Sequence, residues 1–211
     1  PDIKGCSRTD AGVHALGFAL SFEADLRIPP EKLPLALNTK LPRDIRVLKA
    51  RVVPDGFHAR YAAHTKTYLY RIHNSAIDSP FEERYYCRIP GRLDVARMQQ
   101  AAAGFVGTHD FLALCAAHSS AAAHGDTVRT ITACGVERHG DTVEITVTAD
   151  GYLYNMVRIL AGTLCEAGAG RLDPAAVPAI LASRDRKNAG PTLPAKGLFL
   201  HHVDYGKEAE G

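Results

Sequence analysis

Two adjoining stretches in the second half of this chain restrict its fold more than any other feature. Residues 142–149 alternate apolar and polar side chains, and the stretch 128–138 before them is rich in β-branched residues. The sequence His-Gly-Asp between them is typical of a turn, so together they predict a β-hairpin. Apolar residues then recur at helical spacing from Tyr152 until the glycines at 168 and 170, which predicts a helix packed on that hairpin.

The flanking segments extend this pattern into a known supersecondary unit. Residues 65–73 alternate as a strand does, residues 94–106 form an amphipathic pattern that Asp94 can cap, and residues 197–205 are typical of a strand. The resulting order is strand, helix, strand, strand, helix, strand. This order predicts a ferredoxin-like split βαβ unit.

The first sixty residues predict a shorter version of the same unit. Strands are expected at 17–23 and 45–53, a short helix at 30–38, and a strand that ends near Cys6. These are the last four elements of a split βαβ unit. Its first strand and helix are therefore expected in a segment of a few tens of residues that precedes Pro1. The alternative is a smaller N-terminal half with different connections.

The predicted fold class is therefore α+β, with two ferredoxin-like halves that form a largely antiparallel sheet with helices on one face. The predicted domains are an incomplete N-terminal half, residues 1–62, and a C-terminal half, residues 63–211.

Composition narrows the class of protein. Of 211 residues, 46% are hydrophobic, yet no apolar run approaches the ~20 residues of a membrane span. No signal peptide is visible. The five cysteines form no C-x-x-C pair, which indicates reduced thiols in a cytoplasmic protein. The ten histidines show no metal-binding spacing, so we expect no metal site.

The charge is unevenly distributed along the chain. Residues 1–100 carry 16 Lys and Arg against 11 Asp and Glu, whereas residues 101–211 carry 9 against 12. Residues 40–71 hold eight of these basic side chains. This stretch is either a phosphate-binding face or a solvated sheet face, and charge alone favours the second interpretation.

Three polar residues stand out locally. Asp10 lies in the glycine-rich stretch GCSRTDAGVHALG, where it is either a turn residue or a catalytic carboxylate, and the nearby Arg8 favours the second interpretation. Tyr68 lies on a predicted strand and could pack in the sheet or stack on a base. Arg158 interrupts the apolar helix MVRILAG, either as a rim residue or as the partner of a carboxylate. We expect Arg158 to contact Asp10, with nitrogen and oxygen within about 4 Å.

Four stretches carry a resemblance to a known family. They read SRTDAGVHA, FHARYAAHTKTYLYRIHN, NMVRILAGTLCEAGAG and KGLFLHHVDY, in that order. In this order they closely resemble the TruA-type tRNA pseudouridine synthases, and the likeness covers nearly the whole chain. Members of that family carry a segment with a Trp-bearing motif ahead of the R-T-D loop, and many have glycine where this chain has Ser7.

The resemblance implies a role for each matching residue. Asp10 matches the nucleophilic aspartate, Tyr68 the tyrosine that stacks on the target base and takes part in proton removal at C5, and Arg158 the basic partner of the aspartate. The residues implied in holding the tRNA are Arg8, Arg27, Phe57, His58, Arg60 and Tyr61, besides Tyr68. The resemblance also implies a uridine in the anticodon stem-loop of tRNA as substrate, a homodimer, and no cofactor, since the isomerisation involves no redox change.

A second hypothesis from another functional class is a non-catalytic RNA-binding module on the same scaffold. The joint presence of Asp10, Tyr68 and Arg158 favours the enzyme, because a binding module has no need of all three. Release of tritium from C5-labelled uridine in tRNA distinguishes the two hypotheses.

Overall fold

A computed structural model describes residues 1–116 and 120–206. The strands within these residues are β1 Lys4–Gly5, β2 His14–Ala15, β3 Leu20–Ser21, β4 Thr65–His73, β5 Cys87–Arg88, β6 Gly107–Asp110, β7 Val128–His139, β8 Thr142–Ala149 and β9 Leu198–Asp204. The α-helices are α1 Leu33–Asn38, α2 Val95–Ala103, α3 Ser120–Ala123, α4 Met156–Gly168 and α5 Val177–Ser183. Short 3₁₀ segments lie at Pro30–Lys32, Leu112–Leu114, Pro174–Ala176, Arg186–Asn188 and Ala195–Gly197.

The main sheet has the strand order β2-β9-β4-β8-β7-β6, and β5 pairs with the end of β4. Neighbours from β9 to β6 are antiparallel, whereas β2 runs parallel to β9 and β5 parallel to β4. The central order β9-β4-β8-β7 is that of the split βαβ unit, with α2 between β4 and β7 and α4 between β8 and β9. The predicted α+β fold with a largely antiparallel sheet is therefore confirmed.

The core lies between this sheet and the helices α2 and α4, which contact each other. Its largest fully buried side chains include Tyr70, Ile72, Ile145, Met98, Phe105, Ile159, Leu160 and Leu164. Every residue of α4 is buried except Arg158 and Glu166. Arg158 is thus carried by a helix whose remaining surface is packed, which fixes the backbone from which its side chain extends.

A loop passes directly against α4 because of a glycine. A Cβ on Gly162 would lie 1.9 Å from the carbonyl oxygen of Pro191, so only glycine allows this approach. The backbone N–H of Gly190 also donates to the Thr163 hydroxyl at 2.9 Å. The close approach brings Leu193, farther along the same loop, to Arg158.

The N-terminal half contains little regular structure. β1 pairs antiparallel with β3, so the strand expected at 17–23 is reduced to two residues. The helix expected at 30–38 is confirmed as a 3₁₀ turn followed by α1. β2 pairs with β9, which attaches this half to the main sheet.

The strand expected at 45–53 is wrong, because these residues form no regular structure. The N–H and C=O groups of a strand need hydrogen-bond partners on a neighbouring strand. Here the side chain of Asn38 provides the partners for the backbone of one residue, Val47. The side-chain amide of Asn38 donates to the carbonyl oxygen of Val47 at 2.9 Å, and its amide oxygen accepts from the N–H of Val47 at 2.9 Å. A side chain thus satisfies the backbone that a paired strand would have satisfied.

Candidate active site

Asp10 lies in the loop between β1 and β2. The N–H of Val13 donates to the carbonyl oxygen of Asp10 at 3.0 Å and closes a tight turn. Gly12 lies inside this turn at φ +82°, a left-handed conformation that favours glycine. Gly12 is therefore explained by the turn, and the Asp10 side chain is left available for another role.

The far end of the Asp10 loop is anchored on the main sheet. In β2, His14 pairs with Phe199 of β9, and their rings stack at a centroid distance of 4.9 Å. The Nε2 atom of His14 lies 2.9 Å from the carbonyl oxygen of Arg84, which makes Nε2 the protonated, donating nitrogen. These contacts of His14 thus fix the backbone only a few positions after Asp10.

Arg158 and Asp10 come together from distant parts of the chain. Nη1 of Arg158 donates to Oδ2 of Asp10 at 3.2 Å, although the residues are 148 positions apart. The Arg158 side chain is 18% exposed and that of Asp10 is 31% exposed. The predicted contact is confirmed, and its partial exposure leaves the carboxylate accessible from outside.

Two further acceptors fix the guanidinium of Arg158. Its Nε donates to the carbonyl oxygen of Leu193 at 2.6 Å, and Nη1 also donates to Oδ1 of Asn155 at 2.8 Å. The N–H of Leu193 donates back to the carbonyl oxygen of Arg158 at 3.3 Å. The guanidinium is therefore oriented toward Asp10 by neutral groups that do not cancel its charge.

Tyr68 lies on β4, next to the irregularity in register with β9 between residues 67 and 68. A hydrogen bond of 3.0 Å joins its hydroxyl to that of Ser7, in the loop that carries Asp10. The ring of Tyr152 packs against it edge to face at 4.9 Å. Tyr68 is only 5% exposed, so in this structure its ring is packed within the sheet, which is one of the two positions expected for it. The Ser7 loop and the Tyr152 ring cover it.

Burial also sets the protonation of Tyr68. It raises the pKa of the phenol above its ordinary value near 10, and the hydrogen bond from Ser7 opposes this shift in part. The hydroxyl therefore stays protonated at neutral pH and can donate a hydrogen bond.

A basic groove of ≈ 280 Å³ adjoins Ser7. Its lining combines the Asp10 loop with the segment before β4 and consists of Ile3, Lys4, Gly5, Ser7, Arg8, His58, Arg60 and Tyr61. Tyr61 is 77% exposed, and its ring lies 4.3 Å from that of His58 and 5.9 Å from the guanidinium of Arg60. The structure thus brings four of the predicted RNA-contacting residues together, next to the partner of Tyr68.

Two predicted RNA contacts lie apart from this groove as the structure describes it. Phe57 is half-buried, and its ring packs against Tyr205 at 5.3 Å. Arg27 is exposed in the loop between β3 and α1. Phe57 has a packing role in this structure, and Arg27 belongs to a separate part of the surface.

Comparison with known proteins identifies the family. Residues 1–62 and 101–206 match the family model described as tRNA pseudouridine synthase. A tRNA pseudouridine synthase A of Moorella thermoacetica is 49% identical over 198 residues, which cover 94% of this chain and 79% of that protein. The proteins of the same name from Bacillus pumilus and Bacillus subtilis are 44% and 43% identical over 203 residues, each covering 96% of this chain and 81% of the relative.

The chain belongs to the tRNA pseudouridine synthase family. This membership makes it an isomerase, and it confirms the resemblance that the four sequence stretches indicated. No three His, Cys, Asp or Glu side chains gather as a metal site within residues 1–116 and 120–206. No helix in the same ranges is long and apolar enough to cross a bilayer.

Three contacts of this pseudouridine synthase site were not anticipated from the sequence. They are the Ser7 hydroxyl on Tyr68, the Asn155 amide on Arg158 and the Leu193 carbonyl on Arg158. An asparagine directly before an apolar helix is an N-terminal signal, so Asn155 could have been noticed. The other two depend on loop positions that no local pattern specifies.

Proposed function

We propose that this chain converts uridine to pseudouridine in the anticodon stem-loop of tRNA, with Asp10 as the nucleophile. The observation that supports this best is the 3.2 Å contact between Arg158 and Asp10. It joins two residues that are each unusual in their local sequence, and it leaves the carboxylate partly exposed. A structural ion pair in this position would have no need of a glycine-rich loop at the surface.

The reaction sets clear demands on such a site. The bond between N1 and C1′ of the uridine breaks, the base turns, and C5 bonds to C1′ while the C5 proton leaves and N1 gains a proton. The target nucleotide must first leave its stack, because the reacting atoms are inaccessible in a helix. The Asp10 carboxylate attacks either C1′ or C6.

Arg158 serves this chemistry by holding the carboxylate in place. A charge-assisted hydrogen bond is stronger and more directional than a neutral one, so the guanidinium limits the positions open to Asp10. Since Leu193 and Asn155 fix the guanidinium in turn, the nucleophile is preorganised before RNA arrives.

Tyr68 is proposed as the aromatic residue next to the target base. Its hydroxyl is protonated at neutral pH and contacts that of Ser7. In this state the hydroxyl can donate a hydrogen bond, and the ring can pack against a base. Stacking on the ring face requires the Ser7 loop to shift when RNA binds, because only 5% of Tyr68 is exposed. Removal of the C5 proton by Tyr68 requires its own proton to pass first to solvent water, because the Ser7 hydroxyl can accept a hydrogen bond but is not a base.

The basic groove is proposed to hold the RNA backbone beside the flipped nucleotide. Arg8 lies two positions from Asp10 and lines the groove together with His58 and Arg60, while Tyr61 offers an exposed ring. Contacts of this kind recognise phosphates and shape, and therefore suit many tRNAs. Arg27 is proposed to contact the RNA outside this groove, and Phe57 is proposed to support the segment before β4 by packing on Tyr205.

The remaining features of the proposal follow the family resemblance. The division at residues 1–62 and 63–211 places the nucleophile on one half and its basic partner on the other. We propose a homodimer in the cytoplasm that works without a cofactor, and all five cysteines are free thiols. Light scattering on the purified protein measures the assembly directly.

Tritium release from C5-labelled uridine in tRNA tests the proposed function. We expect release by the parent chain and a loss of at least about a thousandfold on Asp10→Asn, because the amide cannot act as the nucleophile. Affinity for tRNA should change little, since one carboxylate adds nothing to the attraction of phosphates. Binding of tRNA without release by the parent chain would instead support the non-catalytic module.

A further inference from the structure

Asn155 has an unusual conformation directly before α4. Its backbone lies at φ 61° and ψ 8°, in the left-handed region. Within residues 1–116 and 120–206, Arg184 is the other non-glycine residue with positive φ. Asparagine tolerates this conformation better than most non-glycine residues, yet some strain remains, and such strain is often found at functional sites.

The side chain of Asn155 does not cap the helix that it precedes. An asparagine in this position normally accepts a hydrogen bond from an N–H group in the first turn, but here no such bond is present. Its Oδ1 instead accepts from Nη1 of Arg158 at 2.8 Å. The left-handed backbone and the side chain thus both serve the contact with Arg158.

The same guanidinium nitrogen binds the proposed nucleophile. Nη1 donates to Oδ1 of Asn155 at 2.8 Å and to Oδ2 of Asp10 at 3.2 Å. With Nε held by Leu193, the Asn155 contact prevents Nη1 from turning away from Asp10. A neutral amide can do this without competing for the charge of Arg158, whereas a carboxylate would pair with it.

We infer that Asn155 is a positioning residue, which acts through Arg158 to hold the Asp10 carboxylate in its reactive place. The inference rests on the proposed function, because it takes Asp10 and Arg158 as the reacting pair. It gives a role to a strained residue that helix formation alone leaves unexplained.

Asn155→Gly is the decisive variant, because glycine accepts φ 61° without strain and removes only the amide side chain. We expect kcat to fall about ten- to a hundredfold, as a misplacement near 1 Å can cost about a hundredfold. KM for tRNA should stay within about twofold, and the melting temperature should not fall. Arg184→Gly is the matched control, because it relieves a left-handed residue at φ 52° outside the site, and it should leave kcat unchanged.

Asn155→Asp separates positioning from a purely structural role. Aspartate also tolerates the left-handed region and keeps an acceptor oxygen, so a structural role predicts normal activity. Positioning predicts a loss at least as large as that of Asn155→Gly, because a second carboxylate draws Arg158 away from Asp10.

The coupling to Arg158 distinguishes this inference from the proposed function. Arg158→Ala should lower kcat severely, and adding Asn155→Gly should then lower it no further. If Asn155→Gly keeps a normal kcat while Arg158→Ala loses activity severely, the positioning role of Asn155 is overturned and the proposed function stands. Normal kcat in Arg158→Ala overturns both the proposed reacting pair and the inference.

A measurement without turnover completes the test. The NMR order parameter of the Arg158 Nη1–H bond vectors, assigned by their loss in Arg158→Lys, reports how firmly the nitrogen between Asn155 and Asp10 is held. We expect it to fall in Asn155→Gly and to stay unchanged in Arg184→Gly. An unchanged value in Asn155→Gly overturns the inference whatever the activity of the chain.

Discussion

Residues 1–62 and residues 63–206 differ sharply in how much of their apolar surface is covered. The first segment contributes Cys6, Leu33 and Ala59 to the buried hydrophobic residues, and the second contributes all the others among the residues that the structure describes. Within residues 1–116 and 120–206, twelve of the eighteen exposed large hydrophobic side chains belong to the first segment. The half that carries Asp10 therefore has little core of its own, whereas the half that carries Arg158 has a complete one.

The comparison shows where the geometry of the site originates. The Asp10 loop is positioned by contacts to the other half: β2 lies along β9, Ser7 bonds to Tyr68, and the Tyr205 hydroxyl donates to the carbonyl oxygen of Ala59 at 2.8 Å. The position of the nucleophile is thus set by contacts with the well-packed residues 63–206. Three experiments can break or sharpen this comparison.

The largest difference is expected between two identical substitutions, Leu160→Ala and Leu48→Ala. Leu160 is fully buried, so truncation should reduce the free energy of unfolding by about 2–5 kcal/mol. Leu48 is 80% exposed, so the same change should cost no more than about 0.5 kcal/mol. Urea unfolding curves measure both. A large cost for Leu48→Ala would show that its side chain is covered in solution and would remove the contrast between the halves.

Cysteine labelling under native conditions should also separate the halves. Burial raises the pKa of the Cys6 and Cys165 thiols, so neither forms much thiolate at neutral pH without an opening of the structure. Cys6 should require only local opening of the thinly packed half, whereas Cys165 should require opening of the core. We expect iodoacetamide to modify Cys6 at least about tenfold faster, as measured by peptide mass spectrometry. Equal rates would indicate that both halves open as one cooperative unit.

The smallest effect is expected in RNA binding. Arg60→Ala removes a cation from the basic groove, so it should weaken tRNA binding about five- to tenfold and lower the salt dependence by about one phosphate contact. Lys187→Ala removes an exposed cation from the other half and is the matched control, with an expected change below about twofold. Filter binding over a range of salt concentrations measures both. A stronger effect at Lys187 would place the RNA on the well-packed half instead.

The elements that could be predicted from the sequence are those whose signal is local. The strand at 65–73, the hairpin and the helix α4 follow from periodicity, and all are confirmed. The charge of Arg158 on an apolar helix made Asp10 a candidate partner, and the family resemblance turned this candidate into the predicted contact. Periodicity therefore sufficed for the C-terminal half, whereas the central pair of the site needed the resemblance as well.

The features that could not be predicted depend on distant parts of the chain. The stretch 45–53 has the composition of a strand but forms none, because strand formation requires a neighbour that its own residues cannot specify. Tyr68 has the alternation of a strand residue, but its burial depends on the Ser7 loop and on Tyr152. The left-handed backbone of Asn155 occurs beside its contact with Arg158, and no periodicity in the segment predicts it.

The pairing of β2 with β9 has a consequence for the order in which the molecule is assembled. His14 lies beside Phe199, which is made 185 residues later. Because synthesis proceeds from the N-terminus at about 5–20 residues per second, the loop with the nucleophile leaves the ribosome many seconds before the strand that anchors it. Its contacts are among the most distant in sequence, and such contacts form slowly. The site is therefore completed late, and a nascent chain that stops before β9 carries Asp10 without the strand that positions its loop.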